Sequence, residues 1–487
     1  MEHTSRNDAL QLSREQMQQL GYRVVDMLVE HFERLPDEPL TRRADRSTLE
    51  KQLREPLPEQ GTPVEVVLQQ VQQDVFSNFL SVSHPRFFSF VPNPNNFVSA
   101  IADALVAGFN PFVGSWAVAS GPAEIELVTI DWLRQLCGLP TSAGGLFVSG
   151  GSIATLTALA TARHIKLHDS LHNAVVYCSD QTHSATDRAL KMLGFGAGQL
   201  RKLPSDQDFR LSLSTLQSAV AEDRAAGRIP FCVIANAGTT NTGAVDPLPE
   251  LAEFCRQQDL WLHADAAYGG GAVLCERGRS ALQGLELADS LVLDPHKWLF
   301  QPYEMGCVLV RDVRWLRQTF SVLPEFLKDV AGIEEEVNFR DYGIQLTRSF
   351  RALKLWMSLK VFGLEAFRHA VNRGIMLAEH AERVLRRSPC WEVVTAAQLG
   401  IVSFRYLPAD GSEQAANATN QQLIHAMMED GFAALSSTTL RGKTALRLCI
   451  INPRTSEQDL EGTIERLEHF GHKLSLHAGA TTEQREE

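Results

Sequence analysis

Lys297 closes an apolar run, Leu291-Val-Leu-Asp-Pro-His-Lys-Trp298, and Asp265 closes another just upstream, Leu260-Trp-Leu-His-Ala-Asp265. Each run reads as a buried strand that hands polar residues to its C-terminal end, where open α/β sheets place their ligand sites. An amine buried at such a place is costly as an ammonium, and a Schiff base with an aldehyde removes that charge. A carboxylate opposite it can keep a ring nitrogen protonated, and a protonated ring drains electrons from a carbanion. Ala267, two residues past Asp265 and on the same face of an extended strand, is small enough to let such a ring lie flat.

Leu146-Phe-Val-Ser-Gly-Gly-Ser-Ile-Ala-Thr155 sets Ser149, Gly150, Gly151 and Ser152 between an apolar strand and a long helix. Free backbone N–H groups and the positive helix end make an anion site there, although a glycine turn that merely caps a helix looks the same. The spacing is neither that of a nucleotide P-loop nor that of a dinucleotide fingerprint. His183, in Ser179-Asp-Gln-Thr-His-Ser184, follows a strand; its imidazole can stack on a flat ring or simply cap a loop. Thr239 and Thr240, in Asn236-Ala-Gly-Thr-Thr-Asn241, offer hydroxyls or an ordinary turn. Histidines and cysteines show no zinc-ligand spacing, so no metal site is expected. An amine, an acid and an anion turn together suit pyridoxal 5′-phosphate.

The elements that must position these groups follow from the pattern. Between about 124 and 310, runs of Val, Ile and Leu alternate with helical stretches, which implies a mainly parallel central sheet with helices on both faces. From about 353 a helix runs to 362 and another continues through 384. Shorter strands (390–394, 401–406, 445–450) then alternate with helices in a small C-terminal α+β domain. Residues 12–35 form an amphipathic helix with no local partner, expected to pack on a second subunit. The expected units are an N-terminal helical segment (1–90), a large domain (91–375), a small domain (376–476) and a disordered tail (477–487).

With 46 Lys+Arg against 58 Asp+Glu the net charge is -12. This disfavours nucleic acid, whose phosphates want a basic face. No run of 18 apolar residues suggests a membrane span, and the N-terminus lacks an export pattern. Eight scattered cysteines without a CxxC pair point to reduced thiols and a cytoplasmic protein.

The order of motifs (Ser-Gly-Gly-Ser, Gln-Thr-His, Gly-Thr-Thr, His-Ala-Asp-Ala-Ala-Tyr, Pro-His-Lys-Trp) resembles the pyridoxal phosphate-dependent group II decarboxylases of fold type I from about residue 15 to 470. His84-Pro-Arg-Phe-Phe-Ser-Phe-Val-Pro92 and Leu346-Thr-Arg-Ser-Phe-Arg-Ala-Leu-Lys-Leu-Trp356 are most similar to the aromatic-amino-acid branch and its bacterial relatives. The resemblance implies that Lys297 carries the cofactor aldehyde, Asp265 pairs with the ring nitrogen, His183 stacks on the ring and Ala267 touches its other face. Ser149, Gly150, Gly151, Ser152 and His296 would surround the phosphate. Phe90, Pro92 and Asn93 would line the substrate pocket, and residues of a partner subunit would complete it, so a homodimer is implied. The implied reaction is decarboxylation of an L-amino acid to the amine.

In the aromatic branch a tyrosine on a mobile loop returns a proton to Cα. The corresponding stretch here is Leu323-Pro-Glu-Phe-Leu-Lys328, with Phe326 in the tyrosine's place. Phenylalanine has no proton to give. In plant relatives that replacement accompanies aldehyde synthases, which decarboxylate and oxidatively deaminate. Amine formation with another proton donor (His183, a water or Tyr342) and aldehyde formation are therefore both expectations. A further departure is Gly114, where the aromatic branch carries a bulky residue facing the partner's pocket, which suggests a larger cavity there. A transaminase or β-elimination enzyme would share Lys297 and Asp265 but not the Pro-His-Lys-Trp context, and a non-catalytic scaffold would share only the fold.

Overall fold

The computed structural model describes residues 10–40, 44–322, 336–408 and 411–483, with side chains as far as residue 476. Its centre is a seven-stranded sheet of β1 (Gly144–Val148), β2 (Ala174–Ser179), β3 (Leu200–Leu203), β4 (Ile229–Asn236), β5 (Trp261–Asp265), β6 (Ser290–Leu293) and β7 (Gly306–Val310). The strand order is β1-β7-β6-β5-β4-β2-β3. β3, β2, β4, β5 and β6 pair in parallel, whereas β7 runs antiparallel to both β6 and β1. Helices on both faces explain why β1, β2, β6 and β7 are buried along their whole length and read as unbroken apolar runs. Helix Gly151–Leu167, rich in Ala, Thr and Leu, is buried without a break from Ala154 to Ala162.

A second sheet in the order β10-β11-β9-β8 is built from β8 (Trp391–Gln398), β9 (Ile401–Tyr406), β10 (Ser436–Leu440) and β11 (Lys443–Cys449). The helix Ala352–Leu385 joins the two layers. Gly363, at φ 74°, breaks it where two separate helices are expected from sequence. Its buried residues up to Ile375 belong to the large core and those from Leu377 onward to the small one. The segment before the first sheet is not independent of the second. Phe88 is buried in the small core, its N–H donates to Ala434 O, and its carbonyl accepts from Cys449 N–H.

Three details depart from the sequence expectation. The last helix, Glu457–Glu483, continues through much of the stretch expected to be an irregular tail, because no proline interrupts it. Strands β3, β7 and β10 were not anticipated. Ala267 lies in the turn after β5 rather than within the strand, which ends at Asp265. The N-terminal helix Arg14–Arg34, with Ser13 closing a capping box, buries none of its residues against this chain.

Candidate active site

The carboxyl ends of β1, β2, β4, β5 and β6 converge on a cavity of about 420 Å³. Ser149, Gly150, Gly151, Ser152, His183, Thr239, Thr240, Asp265, Ala267, His296 and Lys297 all line it. The turn after β1 has a backbone that glycine makes possible. Gly150 sits at φ 157°, ψ 177°, and a Cβ on Gly306, at the start of β7, would stand 2.5 Å from the Gly150 backbone. The first N–H groups of helix Gly151–Leu167 have no partners within the helix and bring the positive end of its dipole to the cavity wall.

Lys297 follows β6 in a turn braced from several sides. Its N–H donates to Asp294 O at 2.9 Å, and His296 N–H reaches Met305 O at 3.3 Å. Met305 N–H donates to His296 Nδ1 at 3.2 Å, so the neutral imidazole carries its proton on Nε2. Burial lowers the proton affinity of His296, and the nearby Asp294 only partly offsets that. The Lys297 amine pairs with Asp294 Oδ2 at 2.9 Å. Burial alone would lower its ammonium; Asp294 and then Asp265 more than reverse this and hold it above the usual lysine range.

Asp265 ends β5 in register with Asn236 of β4, and one of its oxygens accepts the Ala267 N–H at 3.2 Å. Asn236 is itself fixed by a buried network: its side-chain amide donates to Ser179 Oγ, Thr182 Oγ1 and Asp246 Oδ2 at 3.0–3.1 Å. Burial pushes the Asp246 carboxyl up to about 6, against the backbone N–H donors of Asn236 and Leu211. The network anchors the turn that carries His183, whose Nδ1 accepts the Ala185 N–H at 3.2 Å. Thr239 turns its hydroxyl onto Thr242 Oγ1 at 2.7 Å, within its own loop.

Sequence reasoning gave no role to Asp294, Asn236, Tyr268 or Tyr303, which also line the cavity. Asp294 stood in plain view within the lysine motif. Tyr268 stacks on Trp298, with ring centroids 5.2 Å apart, and its hydroxyl accepts the Gly400 N–H. Tyr303 packs edge-on against His296 at 5.0 Å, and burial raises its phenol. No signal for Tyr303 existed in the sequence without knowledge that the chain folds back into β7.

Phe90, Pro92 and Asn93 are not among the lining residues. Phe90 is 66% exposed with φ 50°, and its carbonyl accepts from Arg447 Nη1. The Asn93 amide is buried and donates to the carbonyls of His296 and Gln301, so it braces the lysine turn instead of facing the cavity. A side chain at Gly114 would meet the Phe112 ring at 2.5 Å and the Leu346 carbonyl at 2.7 Å of its own chain. Phe326 lies outside the described residues. Among the described residues, Cys390, Glu468 and His472 come close enough to share an ion, but they are not part of this cavity. Each already has a protein partner, in Ser388, Trp391 and Tyr406.

The donor set fits pyridoxal 5′-phosphate. A helix-end turn with hydroxyls suits a phosphate, an amine suits an aldehyde, and a carboxylate suits a ring nitrogen, with a methyl wall at Ala267. The pyridoxal-dependent decarboxylase conserved domain matches residues 47–407. The chain belongs to the pyridoxal-dependent decarboxylase family. It is 49% identical to the aromatic-L-amino-acid decarboxylase of Bacillus atrophaeus over 96% of this chain and 98% of that one. It is 32% identical to a phenylacetaldehyde synthase of Arabidopsis thaliana over 95% and 97% of the two chains. The crystal structure of Oryza sativa TDC with PLP and tryptamine superposes with a TM-score of 0.90 at 27% identity, covering 95% of this chain and 99% of that one. This decarboxylase is thus a pyridoxal phosphate-dependent carboxy-lyase of the expected fold. Among its described residues no helix is long and apolar enough to cross a membrane.

Proposed function

We propose that this decarboxylase removes the carboxylate of an aromatic L-amino acid and releases the amine and carbon dioxide. The observation that carries the reading is the convergence of Lys297, Asp265, His183 and the Ser149–Ser152 turn on one cavity, in a chain 49% identical to an aromatic-L-amino-acid decarboxylase. Bound there, pyridoxal 5′-phosphate supplies the electron sink for the bond between Cα and the carboxylate.

The chain's own groups set the conditions for that step. Lys297 would hold the cofactor's aldehyde, and Asp265 would keep positive charge at the ring nitrogen. Ser149, Gly150, Gly151, Ser152 and the Nε2–H of His296 would hold the phosphate, with Thr239 and Thr240 on the neighbouring wall. His183 and Ala267, both on the cavity wall, would hold the ring between them. Asn93 keeps the lysine turn in place from behind.

The helix Arg14–Arg34 leaves Leu12 just before it, and Met17, Val24, Val25 and Val29 within it, at least one-third exposed. A second copy is the occupant we assign to this face. Sedimentation velocity should then give twice the 54.0 kDa chain mass. The three units 1–90, 91–375 and 376–476 are our division of the subunit. Eight free cysteines, seven of them buried, agree with a reducing, cytoplasmic setting.

Phe326 favours a second reading, decarboxylation-dependent oxidative deamination to an aldehyde, because phenylalanine at that position has no phenol to return a proton. Incubation with a panel of amino acids under air and under nitrogen, scoring amine, aldehyde, peroxide and carbon dioxide, tests both. Amine in both atmospheres supports the first reading; aldehyde and peroxide under air alone support the second. No carbon dioxide from any amino acid overturns both.

A further inference from the structure

Asp294 has no part in the scheme above, yet it is the hydrogen-bond partner of the reactive amine. Its carboxylate is buried, with Oδ2 2.9 Å from Lys297 Nζ and 3.7 Å from His296 Nε2, while Oδ1 has no hydrogen-bond partner. It lies against the first turn of helix Gly151–Leu167, since a Cβ on Gly151 would stand 2.7 Å from Oδ2. The charged and titratable groups around the amine are Asp294 and His296 from its own turn, Asp265 from β5, Tyr303 from the approach to β7 and the buried Cys449 thiol from β11.

We propose that Asp294 receives the displaced Lys297 and keeps it as an ammonium, and that this pairing fixes reaction specificity by denying the lysine the role of base at Cα. The proposal rests on the function proposed above. In the exchange, the substrate nitrogen replaces Nζ at the aldehyde carbon and passes its hydrogens to Nζ. The C=Nζ bond breaks as the new C=N bond forms, and the three N–H hydrogens of the substrate ammonium end on Nζ, which leaves as the ammonium; nothing is oxidised or reduced. A neutral lysine amine at that point is a base within reach of the Cα hydrogen, and an ammonium salt-bridged at 2.9 Å is not. Loss of the carboxylate, which requires no base, is then the reaction left open. The two carboxylates hold the proton on Nζ above the ordinary lysine range despite its burial, in the sense that the pairing requires.

Two readouts test this on the full-length protein, with Asp294→Asn as the near-isosteric variant and circular dichroism as the check of folding. In protein stripped of cofactor, the rate at which fluorodinitrobenzene labels Lys297, followed by peptide mass across pH 7–11, reports its neutral fraction. The variant should label about tenfold or more faster at pH 8, equivalent to one pKa unit. In loaded enzyme turning over in heavy water, deuterium at Cα of recovered substrate, relative to carbon dioxide released, should rise about tenfold or more in the variant. Equal labelling rates, or no added exchange in a variant that still binds cofactor, overturn the proposal. Should the variant not fold, wild-type protein decides: a Lys297 labelling midpoint at or below that of free lysine overturns it. The labelling experiment needs neither cofactor nor turnover, so its failure is distinct from a failure to release carbon dioxide.

Discussion

Glu126 and Arg348 form an ion pair that solvent does not reach, and both partners grip the backbone of Phe147. Glu126 Oε1 accepts the Phe147 N–H at 3.0 Å, and Arg348 Nη2 donates to the Phe147 carbonyl at 2.8 Å. Phe147 lies in β1, two residues before Ser149, so the pair secures the strand end that presents the anion turn. Arg348 also donates to Val113 O at 3.3 Å and lies 4.8 Å above the Phe339 ring.

Removing one partner of a buried pair strands the other. Arg348→Met should therefore cost about 3–5 kcal/mol in urea unfolding followed by far-ultraviolet circular dichroism. Glu126→Gln retains an acceptor for the Phe147 N–H and should cost less. A Met variant as stable as wild type would show that the pair does not hold β1.

The contact between Gly306 and Gly150 sets the shape of the phosphate turn. Gly306→Ala places a methyl 2.5 Å from the Gly150 backbone and must push the turn outward. Affinity for pyridoxal 5′-phosphate, titrated by fluorescence, should fall by about tenfold, equivalent to 1.4 kcal/mol. Pyridoxal, which lacks the phosphate, should bind with little change.

Asp265→Asn should leave the cofactor attached, so that borohydride still fixes it to Lys297. Turnover should nevertheless fall by about a hundredfold or more through loss of charge at the ring nitrogen. Lys297→Ala should abolish both the visible absorbance and the trapping.

His263, fully buried in β5, predicts an acid-sensitive fold. Burial pushes its imidazole down to about 4, while in the unfolded chain it titrates near 6.5. Between those values the unfolded state binds more protons, so stability falls as pH drops from 6.5 to 4, by about 3 kcal/mol for this one group. His84 shifts in the same direction, also to about 4. Urea midpoints of wild type should decline across that window, and His263→Asn, whose amide can still reach Ser290 Oγ, should decline less steeply.

Phe326→Tyr tests the second reading. If aldehyde is a product of the wild-type enzyme, the variant should convert part of it to amine, scored as the amine-to-peroxide ratio under air. An unchanged ratio would place proton return elsewhere.

The lysine, aspartate and anion turns were legible because each is a short local motif at the end of an all-apolar strand, and those strands are apolar because helices cover both faces. What was hidden has equally physical causes. β3 contains Arg201 and Lys202 and sits at a sheet edge, and β10 reads Ser-Ser-Thr-Thr-Leu at another edge, so neither carries an apolar signature. β7 is apolar but short, and nothing in it announces that it reverses direction. The task of Asn93, bracing carbonyls some two hundred positions away, depends on contacts that only folding creates.

The reversal of β7 has a consequence for how such a chain can change over time. Because this strand enters the sheet from the cavity side, the accessible residues Pro302–Glu304 just before it border the cavity, where Tyr303 stands. Residues gained or lost there would reshape the entrance while every rung of the sheet stayed in place, whereas a single methyl at Gly306 would jam the cradle. Evolutionary drift in substrate taste therefore has a tolerant corridor bordered by a forbidden step.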